Sequence, residues 1–171
     1  YYGGAYASPA CPHNTVITNP SGDAHIDFVG CQNVTLKDWQ AYETIALVNT
    51  SNVTLQNISS FSNILGIRIL NASNNIVSGV NLSINTTISS YAMGVLLAND
   101  SRNNIIQHSS ISGQTTNAYD RGILVITSRN NTIDNVTINY FSGSYTHGIS
   151  LQDSQNITVT NSNVQAYGKD T

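Results

Sequence analysis

Short runs of Val, Ile, Leu and Thr recur along this chain, bounded by Asn, Ser and Gly, and they recur in two registers. The first is clearest in Ser51-Asn52-Val53-Thr54-Leu55. It returns as Gln32-Asn33-Val34-Thr35-Leu36, Ser73-Asn74-Asn75-Ile76-Val77, Arg102-Asn103-Asn104-Ile105-Ile106, Arg129-Asn130-Asn131-Thr132-Ile133 and Gln155-Asn156-Ile157-Thr158-Val159. The anchors Asn33, Asn52, Asn74, Asn103, Asn130 and Asn156 are 19, 22, 29, 27 and 26 residues apart. Between them runs a second phrase: Gly66-Ile67-Arg68-Ile69, Gly94-Val95-Leu96-Leu97, Gly122-Ile123-Leu124-Val125 and Gly148-Ile149-Ser150-Leu151. Such runs are strand chemistry, and none has apolar residues at helical spacing over three turns. Two registers repeating together in the twenties mark a solenoid. One coil cannot bury its apolar face alone, but stacked coils can, each strand bonding to its equivalents above and below. Like residues then pile into columns. Asn suits a column because its amide donates to one neighbour and accepts from the other. The six anchors are therefore expected to form a ladder at a corner, where Asn also tolerates a left-handed backbone. The glycines are expected at another corner, needing positive φ or close approach.

These repeats resemble the right-handed parallel β-helix of the pectate-lyase-like superfamily, in particular its periplasmic copper-maturation and carbohydrate-binding or sugar-hydrolase repeats. The resemblance runs from about Asp23 to Val164 and implies an all-β solenoid of about six coils. It leaves function open, because this architecture hosts lyases, hydrolases, epimerases, adhesins and inert scaffolds.

Two parts are expected: residues 1–22 as an N-terminal segment and 23–171 as the β-helix. The N-terminal segment holds Pro9, Pro12 and Pro20 and does not fit the repeat. It reads either as a cap over the first coil's open edge or as an arm reaching a neighbouring subunit. Trp39 reads as packing near that cap, with a sugar platform as the alternative. Arg68, between Ile67 and Ile69, should point outward. From Asn74 the coils lengthen at one place, through 83–91, 113–120 and 140–146. Loops inserted at one register gather on one face, often the binding face of a solenoid. Each carries a tyrosine: Tyr91, Tyr119 and Tyr145. These are candidates for sugar contact or a subunit interface, beside plain loop packing. Beyond Val164 only residues 165–171 could cover the last rung, and an uncovered rung invites another strand. Two different open ends on one molecule lead to head-to-tail filaments or rings.

Composition sharpens this picture. Only 9% of the 171 residues are charged, the net charge is −3, and the polar surface rests on 23 Asn, 21 Ser and 17 Thr. About 25% charged would be ordinary. No basic run suggests nucleic acid, and no apolar run approaches the roughly 20 residues that span a bilayer. The chain starts at Tyr1, as a processed, exported protein or a trimmed one would. Cys11 and Cys31 are the only cysteines; in an exported chain they read as one disulfide, otherwise as two buried thiols. Eleven Asn-x-Ser/Thr sequons occur, several written by the ladder phrase itself, as at Asn33, Asn52 and Asn156. The candidate glycan acceptors are Asn49, Asn57, Asn71, Asn81, Asn85, Asn99 and Asn135, with Asn85 favoured because it falls in a predicted loop.

The sequence assigns no catalytic residue, metal ligand or cofactor. Polysaccharide lyases and hydrolases of the resembled fold need clustered carboxylates, whereas the nine acidic residues here are scattered. Thr146-His147-Gly148 is similar to one hydrolase signature, but the same register holds Leu65, Met93 and Arg121, so His147 reads as a variable corner position. His13, His25 and His108 lack ligand spacing. The favoured expectation is a non-enzymatic, extracellular structural protein: a filament, sheath or surface-layer subunit whose partners are copies of itself. A carbohydrate-binding or polysaccharide-modifying module is the second expectation, and a fragment of a longer adhesin or tail fibre the third.

Overall fold

The computed structural model describes residues 11, 13–18, 25–62, 64–86, 91–115, 119–141 and 145–168. Among them every regular element is a strand, and the strands form two sheets. In the first, Thr15–Thr18, Val34–Ala41, Thr54–Ser62, Ile76–Ser78, Ile105–Thr115, Thr132–Phe141 and Thr158–Thr160 follow one another, with Asn81–Thr86 and Asn163–Tyr167 as further segments of their coils. The second runs Ile26–Val29, Ile45–Val48, Leu65–Leu70, Tyr91–Ala98, Tyr119–Ile126 and Tyr145–Gln152. Successive coils pair in parallel in both sheets, and the chain alternates between them. The result is a parallel β-solenoid.

Left-handed residues set the corners. Every positive φ among the described residues falls in one of three columns. One holds Asn14 and the six anchors. A second, Asp38, Asn57, Gly79, His108, Asn135 and Asn161, bends the first sheet into two faces. The third follows the second sheet, through Gly30, Asn49, Asn71, Asn99 with Asp100, Thr127 and Asp153. Asn and Asp dominate because their short polar side chains ease this conformation.

The core is a bundle of vertical columns. Leu36, Leu55, Val77, Ile106 and Ile133 stack by register and are buried. Ile45, Ile67, Val95 and Ile123 form another column, and Leu47, Ile69, Leu97 and Val125 a third. Trp39 is buried within this core, which rules out a surface platform there. Arg68 stands half-buried between buried Ile67 and Ile69, as the alternation requires.

Four expectations change. The repeat begins before Asp23: Thr15–Thr18 pairs with 34–37, and Asn33 Nδ2 donates to Asn14 Oδ1 at 3.0 Å. The rest of the cap-or-arm segment, 1–10, 12 and 19–22, lies outside the described residues. Second, Gly66, Gly94, Gly122 and Gly148 are strand residues without positive φ. They are needed for close approach instead. A Cβ on Gly122 would sit 2.5 Å from Ile138 Cγ2 and 2.6 Å from the Gly148 carbonyl. Third, the lengthened coils extend both sheets, so Ser83–Thr86, Gly113–Thr115 and Tyr119 are strand residues. Residues 87–90, 116–118 and 142–144 of the predicted loops lie outside the described residues. Fourth, Gln165–Tyr167 continues the last rung, pairing with Asn139–Phe141, and does not fold over it.

Candidate functional site

Among the described residues, the last rung leaves its core columns uncovered. Each core column needs a residue above and below to exclude water. Leu151, Val159 and Val164 occupy the inward register of Val125, Ile133 and Ile138. Those three lower residues are 0% exposed, whereas Leu151, Val159 and Val164 are 50%, 43% and 42% exposed. At the opposite end Phe28 is buried, and Ile17 and Ile26 are partly buried against the core. Among the described residues, Thr15–Thr18 and Ile26–Val29 are paired along one side only.

The exposed asparagine ladder has a direction. Asn33 donates to Asn14, Asn52 to Asn33 and Asn156 to Asn130, at 3.0, 3.2 and 3.2 Å. Amides thus donate towards the first rung. The other anchors keep the column through their backbones: the amides of Asn74 and Asn103 bond to the carbonyls of Arg102 and Arg129.

A second, buried ladder lies one residue further on, and the sequence reading passed over it. Asn75 Nδ2 donates to Asn104 Oδ1 at 2.9 Å, and Asn104 Nδ2 to Asn131 Oδ1 at 3.0 Å. The same oxygens accept the backbone amides of Asn75 and Asn104. These three side chains are almost wholly enclosed. Elsewhere in the column stand Val34, Val53 and Ile157. The signal was the doublet Asn-Asn, found in the three middle coils alone.

Tyr91, Tyr119 and Tyr145 are brought together as expected, in direct register. Their rings stack on one another, with centroids 5.7 and 5.1 Å apart and planes 20° and 10° apart. A sugar platform needs an open ring face. Here Tyr119 is stacked on both sides, and Tyr91 and Tyr145 each stack on Tyr119 by one face. Tyr42 and Phe61 make a similar pair, 6.1 Å apart.

The polar corners hold the charges. Asp100 lies between Arg102 and Arg129, at 3.6 and 3.3 Å, beside a cavity of about 190 Å³ also lined by Thr127, Asp153 and Gln155. All three charged groups are about half exposed, so these pairs contribute little stability. Asp134 accepts from Thr160 Oγ1 at 2.7 Å and Asn161 Nδ2 at 2.9 Å. Those bonds favour the ionised form and hold its pKa below the usual carboxylate value of 3.8. Its folded-state pKa is depressed, so its contribution is present above the ordinary value and lost as pH falls below it. Protection of the Thr158–Thr160 amides, measured relative to their intrinsic exchange rates, is therefore expected to fall as pH drops below the usual carboxylate value of 3.8, and Asp134→Asn should flatten that dependence.

His147 shares its register with Arg121 and, through it, Met93 and Leu65, as the sequence suggests, and it is exposed. Among the described residues no group of three or more His, Cys, Asp and Glu is placed to hold a metal ion. Asp120 is buried and its Oδ1 accepts the Ala92 amide at 3.0 Å, tying one coil to the next. Cys11 and Cys31 form a disulfide, a bond that persists in oxidising compartments. No described helix is long and apolar enough to cross a membrane. Asn85, expected in a loop, lies in the strand Asn81–Thr86, where its Oδ1 accepts the Gln114 amide at 3.2 Å.

Residues 31–169 match the family defined as the right handed beta helix region. The chain belongs to that right-handed β-helix family. Among solved structures it is similar to the catalytic domain of a GH87 alpha-1,3-glucanase in complex with tetrasaccharides. That likeness has 13% identity and a TM-score of 0.39, over 87% of this chain and 52% of the other. The chain thus spans about half the length of that structure, and a likeness this loose says nothing about activity. Comparison with curated proteins gives no match.

Proposed function

We propose that this protein is a structural, extracellular β-solenoid that assembles end on end with copies of itself. One observation carries the reading: the core columns stay open at the last rung, with Leu151 at 50% exposure above a fully buried Val125. Among the described residues the strands of that rung pair along one side only, and another strand satisfies such an edge best. The first rung of a second copy, Thr15–Thr18 and Ile26–Val29, offers such edges. The sense of the exposed ladder favours head-to-tail contact. Asn156 leaves its carbonyl towards the open end, while Asn14, which accepts through Oδ1, has its amide nitrogen to offer. Two last rungs face to face would set carbonyl against carbonyl. Heterologous contacts of this kind propagate into filaments. The disulfide, the low charge and the abundance of sequons suit an exported surface protein.

Sedimentation velocity over a concentration series tests this. Wild type is expected to grow with concentration, and Val164→Asp with Leu151→Asp to remain monomeric with little change in unfolding temperature. A wild type that stays monomeric throughout, or association indifferent to both substitutions, contradicts the proposal. Native material whose intact mass exceeds 18.4 kDa plus glycans would instead assign this edge to further coils of a longer chain.

A further inference from the structure

We infer that N-linked glycans are carried at Asn81, Asn99 and Asn135, and that Asn33, Asn52, Asn57, Asn71 and Asn156 stay bare in the folded protein. An N-glycan is attached to Nδ2, so the surroundings of that nitrogen decide which sites a folded coil can keep. Most sequon asparagines have committed it. Asn33, Asn52, Asn71 and Asn156 donate through Nδ2 to the asparagine one rung away, and Asn57 donates to Asp38. Asn85 donates to Ser83 within its own strand. Asn49 and Asn130 receive such a bond, from Asn71 and Asn156. Rungs repeat at about 4.8 Å. A sugar on the nitrogen of Asn33, Asn52, Asn57, Asn71 or Asn156 must take the space of the stacked neighbour, so a chain modified there cannot close its ladder.

The three remaining acceptors are exposed, and their side chains make no hydrogen bond among the described residues. Each has room for a separate reason. Asn81 is flanked in register by Ser59 and Ser110, both small. Asn135 sits at the bend of the first sheet with φ of 51°, and Asn161, next in that column, gives its Nδ2 to Asp134 instead. Asn99 belongs to a bulge: the stretch from Ala98 to Arg102 holds one more residue than the matched stretch from Leu70 to Ser73. All three lie on the side walls. Glycans there leave both end rungs bare, so this inference stands or falls separately from end-on assembly.

The test is site mapping of the full chain secreted by an N-glycosylating host. Folded protein is digested, deglycosylated enzymatically in heavy-oxygen water, and read by peptide mass. Label is expected at Asn81, Asn99 and Asn135. Asn81→Asp, Asn99→Asp and Asn135→Asp should each remove one glycan mass, and Asp tolerates the left-handed backbone at the last two. Label at Asn33, Asn52, Asn57, Asn71 or Asn156 in the folded fraction would overturn the inference, as would absence of label at the three sites.

Discussion

Asn104→Ala is expected to lower stability by about 4 kcal/mol, from two buried donors orphaned at about 2 kcal/mol each. The donors are the backbone amide and Nδ2 of Asn75, both bonded to Asn104 Oδ1. Both side chains are enclosed, Asn75 at 0% and Asn104 at 1% exposure. The Ala72 carbonyl also loses Asn104 Nδ2 but keeps the Arg102 amide. The neighbouring asparagine supplies the control. Asn103 is exposed with φ of 55°, and Gly adopts that conformation freely. Asn103→Gly should therefore change stability by less than about 1 kcal/mol. Urea unfolding of both variants checks the contrast. Equal losses would mean that the buried ladder has no special role.

Gly122→Ala is expected to lower stability by about 3 kcal/mol through overpacking. The added methyl meets Ile138 Cγ2 and the Gly148 carbonyl, at 2.5 and 2.6 Å. The side chain can yield, but the carbonyl belongs to the next rung and cannot move without opening the sheet. Ile138→Ala removes the first clash and leaves the second. The double variant should be more stable than the sum of the two single losses predicts, but still less stable than Ile138→Ala alone. Strict additivity would place the strain elsewhere.

The sequence made the architecture legible because registry repeats itself in letters. Asn52, Asn74 and Asn103 could be aligned before any coordinates, and so could Tyr91, Tyr119 and Tyr145. What it hid depended on depth. In Asn103-Asn104 two identical letters stand side by side, one facing solvent and one facing the core, and the phrase alone does not say which. Gly122 read as a corner because glycine serves turns as readily as tight packing; only the facing Ile138 decides between them. The first rung was masked by its prolines, although Asn14 lies 19 residues before Asn33, the same interval that separates Asn33 from Asn52. Asn85 reads as loop because it falls where its coil lengthens, yet Gln114 on the next rung draws it into the sheet.

The charge balance and the open rung point the same way. With 9% charged residues the walls repel little, and the uncovered Leu151, Val159 and Val164 gather at one end. Electron cryomicroscopy of the concentrated full chain tests end-on assembly most directly. Filaments are expected with strands perpendicular to the long axis and a subunit rise of about 34 Å. That rise is seven rungs of about 4.8 Å, the seven levels of the first sheet among the described residues, and a rise of about 29 Å would instead match the six levels of the second. Single particles one solenoid long at every concentration, or filaments joined through their side walls, would contradict it.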